Sequence, residues 1–562
     1  MIDAFTQRSR IAYFSMEIAL RPEIHTYAGG LGILAGDTVR SCADLELPVV
    51  FVTLISRAGY LRQSIDGEGR QVEQPDPWEP ERWAQPLGAK VAVMIDGRDV
   101  WVRPWLYRHK GTLGYEIPVL LLDTVLDENA PEDRDICNNL YGGDDAYRLS
   151  QESVLGIGGY RLLRALGFEI ETYHMNEGHA ALLALELLHG HRRSNGDPAE
   201  HAAYDPEIAR QSCVFTTHTP VEAGHDRFPY DLVERKLGGT IDVTALKAIA
   251  GAEGLNMTRL ALNLSGYVNG VAKRHAEISR QLFPGYRIHA ITNGVHVDTW
   301  TCESFGQLYQ DHFPNWRHEP EVLVRADGLD DEAVWEAHQQ AKLNLLSRVA
   351  DETGTHLSPD VLTIGYARRM TGYKRLDLMF SNLDRLRGLA RDHPFQIVIA
   401  GKAHPRDEGG KRTIEALHRW KKELAEDIPV VFLANYDMDL ARPLTSGSDI
   451  WLNTPLPPME ASGTSGMKAA LNGVLNLGVL DGWWMEACID GTTGWAIGDA
   501  NLGTAADDAE DLYRKLEGDV LPLFYGSRKQ WIWMMKQSIS KIASYFNSQR
   551  MMRRYASEAY LR

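Results

Sequence analysis

Short apolar runs alternate with longer amphipathic ones along the whole chain. The segments IAYFSMEI (11–18), LPVVFVTLI (47–55) and IPVLLLDT (117–124) are short and β-branched or aromatic, which predicts buried strands. Residues 143–167 carry apolar positions at helical spacing, and the strand-like ETYHMN (171–176) follows. HAALLALELLHGHRR (179–193) predicts a helix, and CVFTTHT (213–219) and IHAITNGV (288–295) predict strands. A long helical segment over roughly 330–352 opens a second set. It continues with strand VLTIGYA (361–367), helix 374–391, strand FQIVIAG (395–401), helix 410–426 and strand VVFLANY (430–436).

Strands that alternate with helices imply parallel sheets covered on both faces, with ligands at the carboxyl ends of the strands. Two sets predict an α/β protein of two doubly wound domains. The boundary falls near 297–300: residues 1–297, then 298–540, with the helical stretch 541–562 crossing back to the first domain. The length of 562 residues allows two large domains or three ordinary ones.

Apolar content of 44% and charged content of 24% suit a soluble globular chain. A formal net charge of −17 argues against a general binder of nucleic acid or anionic membrane, both of which need a basic footprint. Five scattered cysteines without a C-x-x-C pair read as reduced thiols, and the N-terminus lacks an apolar signal core; a cytoplasmic location is expected. No apolar stretch is long enough to predict a membrane span.

Four constellations carry candidate chemistry. YAGGLGILAGD places Gly29, Gly30 and Gly32 after a strand, where a backbone can approach a phosphate, although the full G-x-G-x-x-G pattern is absent. GYARRMTGYKR brings Arg368, Arg369, Lys374 and Arg375 to a strand end, with Lys402 at another; Arg suits bidentate phosphate contacts, while Arg375 reads as part of a solvated helix start. Glu177, His179, His218, Asn293 and His296 stand at the ends of first-domain strands and suggest a polar pocket for a hydroxylated ligand. The Glu177–His179 pair alone does not complete a metal site, so no metal is expected. Finally, MEASGTSGMKAALNG (459–473) sets Lys468 just past a Gly/Ser/Thr-rich turn at a helix start. A buried lysine near other cations loses its proton readily, the condition for an imine with an aldehyde, and pyridoxal phosphate combines an aldehyde with a phosphate.

At these residues the sequence resembles the α-glucan (glycogen/maltodextrin) phosphorylases, in a short bacterial-type form. EASGTSGMK is similar to that family's E-A-S-G-T-G-N-M-K, and RRMTGYKR to its K-R-I-H-E-Y-K-R. GGLGILAGD, MNEGHAAL, TTHT, TNGVHVDTW and FLANYD match further blocks in the same order. The resemblance implies the glycosyltransferase type B arrangement, two Rossmann-like domains facing a cleft. It implies that Lys468 carries pyridoxal 5'-phosphate as an imine, that Thr464 and Arg368 hold the cofactor phosphate, and that Tyr436 lies beside the pyridine ring. Arg369 and Lys374, with the Gly30 backbone, would bind inorganic phosphate or the phosphate of glucose 1-phosphate. Glu460, Ser462, Gly463 and Asn293 would bind glucose hydroxyls and His218 would contact the sugar near the reacting carbon, with Glu177 and Tyr373 as further pocket residues. The implied reaction is reversible phosphorolysis of a terminal α-1,4-glucosyl unit with retention, the cofactor phosphate acting as proton relay. The implied partners are a glucan or maltodextrin, phosphate and glucose 1-phosphate, and the resemblance allows a homodimer.

Departures from the family pattern include Glu177 for aspartate, Ala28 for asparagine, Arg368 for lysine and TSGMK for TGNMK. The chain is also shorter than the long glycogen-degrading members, so loops for long glucans or allosteric ligands are expected to be missing. Three rival readings share some of these residues: a nucleotide-sugar glucosyltransferase, a hydrolase with Glu177 and Glu460 as paired carboxylates, and a glucan-binding protein without turnover. The first two leave the lysine motif unexplained.

Overall fold

The computed structural model describes residues 2–195, 206–221, 224–238, 241–498 and 504–561. Two large sheets organise it. In the larger, the strands run side by side in the order His289–Ala290, Tyr267–Gly270, Cys213–Thr216, Thr172–Asn176, Ile11–Ser15, Val49–Leu54, Glu116–Asp123, Arg98–Lys110, Gln85–Pro86. The smaller runs Val430–Leu433, Phe395–Ala400, Leu362–Ala367, Ile450–Asn453, Leu475–Val479, Gly494–Ile497. The smaller sheet is parallel throughout, and so is the larger from His289–Ala290 to Glu116–Asp123. Numbered along the chain, both parallel portions have the spatial order 3-2-1-4-5-6, the larger with a seventh strand. That order has a switch point between strands 1 and 4, where crossovers diverge and open a crevice.

The central strands Ile11–Ser15, Val49–Leu54, Leu362–Ala367 and Phe395–Ala400 are buried at every position. Helices cover both faces, which is why these runs show no polar alternation. The larger sheet is not purely parallel, however. Arg98–Lys110 runs antiparallel to Glu116–Asp123 and to Val91–Ile95, so an edge hairpin extends it.

A second difference concerns the helix expected over 374–391. Arg375 sits at φ 48°, in the left-handed region, so no α-helix passes through it. Two 3₁₀ turns, Gly372–Lys374 and Leu376–Phe380, precede an α-helix confined to Leu383–Asp392, which the Asn382 side chain caps at Arg385 N. Arg375 is also not solvated. Its guanidinium is drawn inward to the carbonyls of Thr454 (3.0 Å) and Pro455 (2.7 Å) and to Asp508 (2.7 Å).

Each sheet has its own apolar core. At the C-terminus the chain changes sides. Ile542 and Phe546 belong to the second core, whereas Met551, Met552, Tyr555 and Ala559 join the first. Helix Ser548–Tyr555 lies on helix Gly30–Asp44, where the Ser41 and Ser548 hydroxyls meet at 2.6 Å.

Candidate active site

Strand Leu362–Ala367 delivers Arg368 and Arg369 to the switch point of the smaller sheet. The Arg368 side chain is 9% exposed, and its Nε and Nη1 are buried without a hydrogen-bond partner. A buried guanidinium with unmet donors is costly, and such groups mark a place where an acceptor belongs. Arg369 reaches the other half of the protein: a Cβ added to Gly29 would come within 2.9 Å of its Nη2. The 3₁₀ turn Gly372–Lys374 brings Lys374 to the same crevice, its ammonium 4.5 Å from the Tyr373 ring centre and paired with the Glu460 carboxylate.

Glu460 opens the turn between strands Ile450–Asn453 and Leu475–Val479. Burial opposes its ionisation, but Lys374 and Arg368, the latter at 3.8 Å, outweigh burial and hold its carboxyl below the usual range. Its backbone N–H donates to Asp481 Oδ2 at 2.9 Å. Burial pushes Asp481 up to about 6, against the hydrogen bonds from Glu460 and Gly482. Gly463 takes φ 76°, where a side chain is disfavoured, and this bends the turn toward the helix Ser465–Leu471. Thr464 occupies the N-cap without a side-chain capping bond. Behind the turn lies a small recess whose walls include Arg368, Asn453, Glu460, Ser462, Asn476 and Trp484. Asn453 Oδ1, Asn476 Oδ1 and Trp484 Nε1 are also unpartnered there.

Lys468, on that helix, is only 5% exposed. Its ammonium stands over the Trp300 indole, 3.6 Å from the ring centre. Burial pulls it down to about 8; Asp37 opposes that shift and Arg40 adds to it. A lysine in this state gives up its proton more readily than a solvated one and supplies the neutral nucleophilic amine above about pH 8. Tyr436 lies beside the crevice after Asn435, which has φ 58°. A hairpin of Arg62–Ile65 and Gln71–Gln74 grips Asn435 through Gln63, with bonds of 3.1 and 2.8 Å.

The first half contributes its own switch point, between Ile11–Ser15 and Thr172–Asn176. Asn176 Nδ2 donates to Ser15 Oγ at 3.1 Å, so its Oδ1 accepts from His218 Nε2 at 2.6 Å. That fixes the His218 tautomer with Nδ1 as the free acceptor. Burial, with His275, His174 and His179 nearby, drives this imidazole down to about 3, so it is neutral. Asn293 is buried with Oδ1 unpartnered. Glu177 has φ 72°, a strained conformation for a non-glycine residue. Its carboxylate accepts from Gly178 N, His218 N and Thr219 Oγ1, stapling the strand end to the 217–219 loop.

Lys374, Glu460, Arg368, Ser462 and Gly463 thus lie together in one crevice, and His218, Glu177 and Asn176 form a second cluster. Gly30 starts the helix Gly30–Asp44 beside the Gly29–Arg369 contact. Lys402 is a cross-half tie, donating to Leu61 O at 3.0 Å.

Sequence reasoning missed Glu17, Asp37, Trp300 and Asp481 as site residues. Glu17 is fully buried and accepts from Ala28 N (2.6 Å), Gly29 N (3.0 Å) and the Tyr141 hydroxyl (2.9 Å), and so holds the glycine turn in place. The signal was an acid set inside an apolar run.

At the strand ends of a doubly wound sheet the crevice gathers Arg368 and Lys374 around Glu460, a setting whose cations suit an anionic ligand. The sequence profile of the carbohydrate phosphorylase family matches residues 231–493. A maltodextrin phosphorylase of Thermococcus litoralis is 36% identical over 98% of this chain and 70% of its own length. A glycogen phosphorylase of Aquifex aeolicus is 34% identical over 99% of this chain and 86% of its own. An uncharacterized protein of Methanocaldococcus jannaschii is 32% identical over 98% of this chain and 99% of its own. The chain belongs to the carbohydrate phosphorylase family.

Among the described residues, no helix is long and apolar enough to cross a membrane.

Proposed function

We propose that this protein catalyses the reversible phosphorolysis of terminal α-1,4-linked glucose units of glycogen or maltodextrin, releasing α-D-glucose 1-phosphate with retention, and that its cofactor is pyridoxal 5'-phosphate. The observation that carries this reading is the gathering of Arg368, Lys374 and Glu460 in one strand-end crevice, with buried Lys468 on the helix that follows the Glu460 turn. Relatives named glycogen and maltodextrin phosphorylases, similar over nearly the whole chain, support the substrate class.

The residues fit the cofactor. Lys468 is buried and loses its proton more readily than a solvated lysine, and Arg368 has two unmet donors that suit a phosphate. Lys468, Arg368, Thr464 and Tyr436 would hold it, with the Gly30 backbone near. When bound, pyridoxal phosphate supplies an aldehyde for the lysine amine and a phosphate that can give and take a proton.

The protein's own groups do the rest. Arg369 and Lys374 hold the substrate phosphate as fixed charges in a water-poor crevice, where such preorganisation is worth most. Lys374 takes up that phosphate and frees Glu460 to accept from a sugar hydroxyl alongside Ser462, Gly463 and Asn293. His218, neutral and held by Asn176, offers a lone pair and no opposing charge to an oxocarbenium-like centre. With its cations on one side of the sugar, the site keeps arriving phosphate and departing glucan on the same face, which retains the anomeric configuration.

The fold reading that accompanies this function is the glycosyltransferase type B arrangement, with residues 1–297 and 298–540 as its domains and 541–562 returning to the first. The shared strand order and the separate cores of the two sheets, the smaller sheet packing two clusters, support it.

Borohydride reduction of the purified protein followed by peptide mapping tests the cofactor, and phosphate-dependent release of glucose 1-phosphate from maltodextrins tests the reaction. A pyridoxyl-phosphate adduct on Lys468 with phosphorolysis is the expected result. No adduct after incubation with pyridoxal phosphate, and no phosphorolysis, would leave a nucleotide-sugar transferase or a glucan-binding protein.

A further inference from the structure

The helix Gly30–Asp44 begins at the glycine turn, yet its most enclosed charge lies two turns further on. Asp37 is 1% exposed and belongs to none of the contacts that the phosphate reading uses. Its oxygens accept from Trp300 Nε1 at 2.8 and 3.1 Å, from His296 N at 3.2 Å and from Arg40 Nη1 at 3.3 Å. Trp300, also 1% exposed, presents its ring to the Lys468 ammonium at 3.6 Å. The two residues are joined a second time, because Asn472 Nδ2 donates to both Trp300 O and Lys468 O at 2.9 Å.

We propose that Asp37 is a positioning residue for Lys468, acting through Trp300: its carboxylate fixes the indole, and the indole face holds the lysine amine in the place from which it captures an aldehyde. The inference rests on the reading of Lys468 as the cofactor lysine.

Several observations support it. The indole N–H has a charged acceptor in a dry setting, the strong form of such a bond. The ring offers its negative face to the amine, and an anion hydrogen-bonded to the N–H adds to that polarity. The charged groups that act on Lys468 are Asp37, which favours the ammonium, and Arg40, which opposes it; their mutual contact keeps the local balance close to neutral. Asp37 therefore has a geometric hold on the amine at any pH and an electrostatic hold on the ammonium, and at pH 10 the geometric hold alone is read.

The test uses the full chain stripped of pyridoxal phosphate, as wild type, Asp37→Ala, Asp37→Asn, Trp300→Phe and the Asp37→Ala/Trp300→Phe pair. At pH 10, where the amine is free in every variant, two reactions of Lys468 are followed by peptide mapping: capture of added pyridoxal phosphate, trapped with borohydride, and acetylation by acetic anhydride. An unfixed indole should slow aldehyde capture about tenfold and speed acetylation severalfold, since the amine is no longer held in one place. Asp37→Asn, which keeps an acceptor for the indole N–H, should recover most of the capture rate. Trp300→Phe should resemble Asp37→Ala, and the double variant should be no slower than Trp300→Phe alone. Unchanged acetylation of Lys468 in Asp37→Ala, or losses that add in the double variant, overturns the proposal. If wild type captures no aldehyde, the cofactor reading fails, while the acetylation comparison still decides the role of Asp37. Should Asp37→Ala not fold, Trp300→Phe against wild type carries the same comparison.

Discussion

Replacing Lys468 with methionine should stabilise the cofactor-free protein, although it abolishes the proposed reaction. The lysine ammonium is displaced from 10.5 to about 8 by burial. Unfolding restores the ordinary value, so the unfolded chain binds more protons between those two values and stability rises with pH across that interval. Below pH 8 the folded protein bears the full penalty, about 2.5 units at ~1.4 kcal/mol each, or ~3 kcal/mol. The indole contact returns ~0.5–2 kcal/mol of this. Methionine keeps the length and apolar stem of the side chain without the charge. Lys468→Met is therefore expected to gain about 1–3 kcal/mol at pH 7, and the gain should shrink by ~2 kcal/mol at pH 9.5, where much of the wild-type penalty is gone. Denaturant unfolding of both cofactor-free proteins at the two pH values measures it. A variant that is less stable at pH 7, or a gain that does not depend on pH, refutes the reasoning, because the amine would then be a satisfied structural contact.

Three further outcomes follow from contacts in and around the site. Arg369→Ala should keep the cofactor while raising the KM for phosphate tenfold or more, as loss of a charged contact worth ~1.5–3 kcal/mol requires; an unchanged KM removes Arg369 from the phosphate site. Glu17→Ala should free the glycine turn and raise the phosphate KM by a similar factor with borohydride-trapped cofactor intact, and normal phosphate dependence would make Glu17 a purely structural residue. Lys342, fully buried and paired with Asp449 at 2.6 Å, is a structural ion pair away from the chemistry. Lys342→Met strands that carboxylate with only His338 and Thr363 N as donors, so unfolding studies should show a loss of ~3–5 kcal/mol.

The fold was legible where burial suppresses polar alternation. Ile11–Ser15, Val49–Leu54, Leu362–Ala367 and Phe395–Ala400 read as strands because helices cover both of their faces. The strand Arg98–Lys110, near the sheet's edge, interleaves Trp101 and Trp105 with Arg103 and Arg108, so the composition that marks a buried strand is diluted by charge. Ile450–Asn453 and Leu475–Val479 were hidden by brevity, although they frame the lysine turn. The break at Arg375 was illegible because its cause is distant: Asp508, 133 residues later, helps draw the guanidinium inward. At the site, a lysine after a glycine-rich turn is local chemistry and reads directly. Asp37 is known only through a partner far along the chain, Trp300, and Glu17, although an acid inside an apolar run, shows its role only through the folded contacts with Ala28, Gly29 and Tyr141.

Those long-range partners explain why the site needs both halves at once. Helix Gly30–Asp44 touches the second half's chemistry twice. Its start lies against Arg369 through Gly29, and its middle reaches Lys468 through Asp37 and Trp300. Tyr27, just before the turn, accepts from Met438 N at 2.9 Å, and Gln63 holds Asn435 beside Tyr436. A shift of one half against the other would change the surroundings of the phosphate cations and the lysine together, because both are referred to the same helix. Glu460 and Lys374 lie within the second half alone, and each satisfies the other when no ligand is present. Under the proposed function the division is physically sensible: cations that would accept and release a substrate phosphate have a local counter-charge to return to, whereas the lysine that would keep its cofactor through every turnover is tied to buried contacts that span the fold.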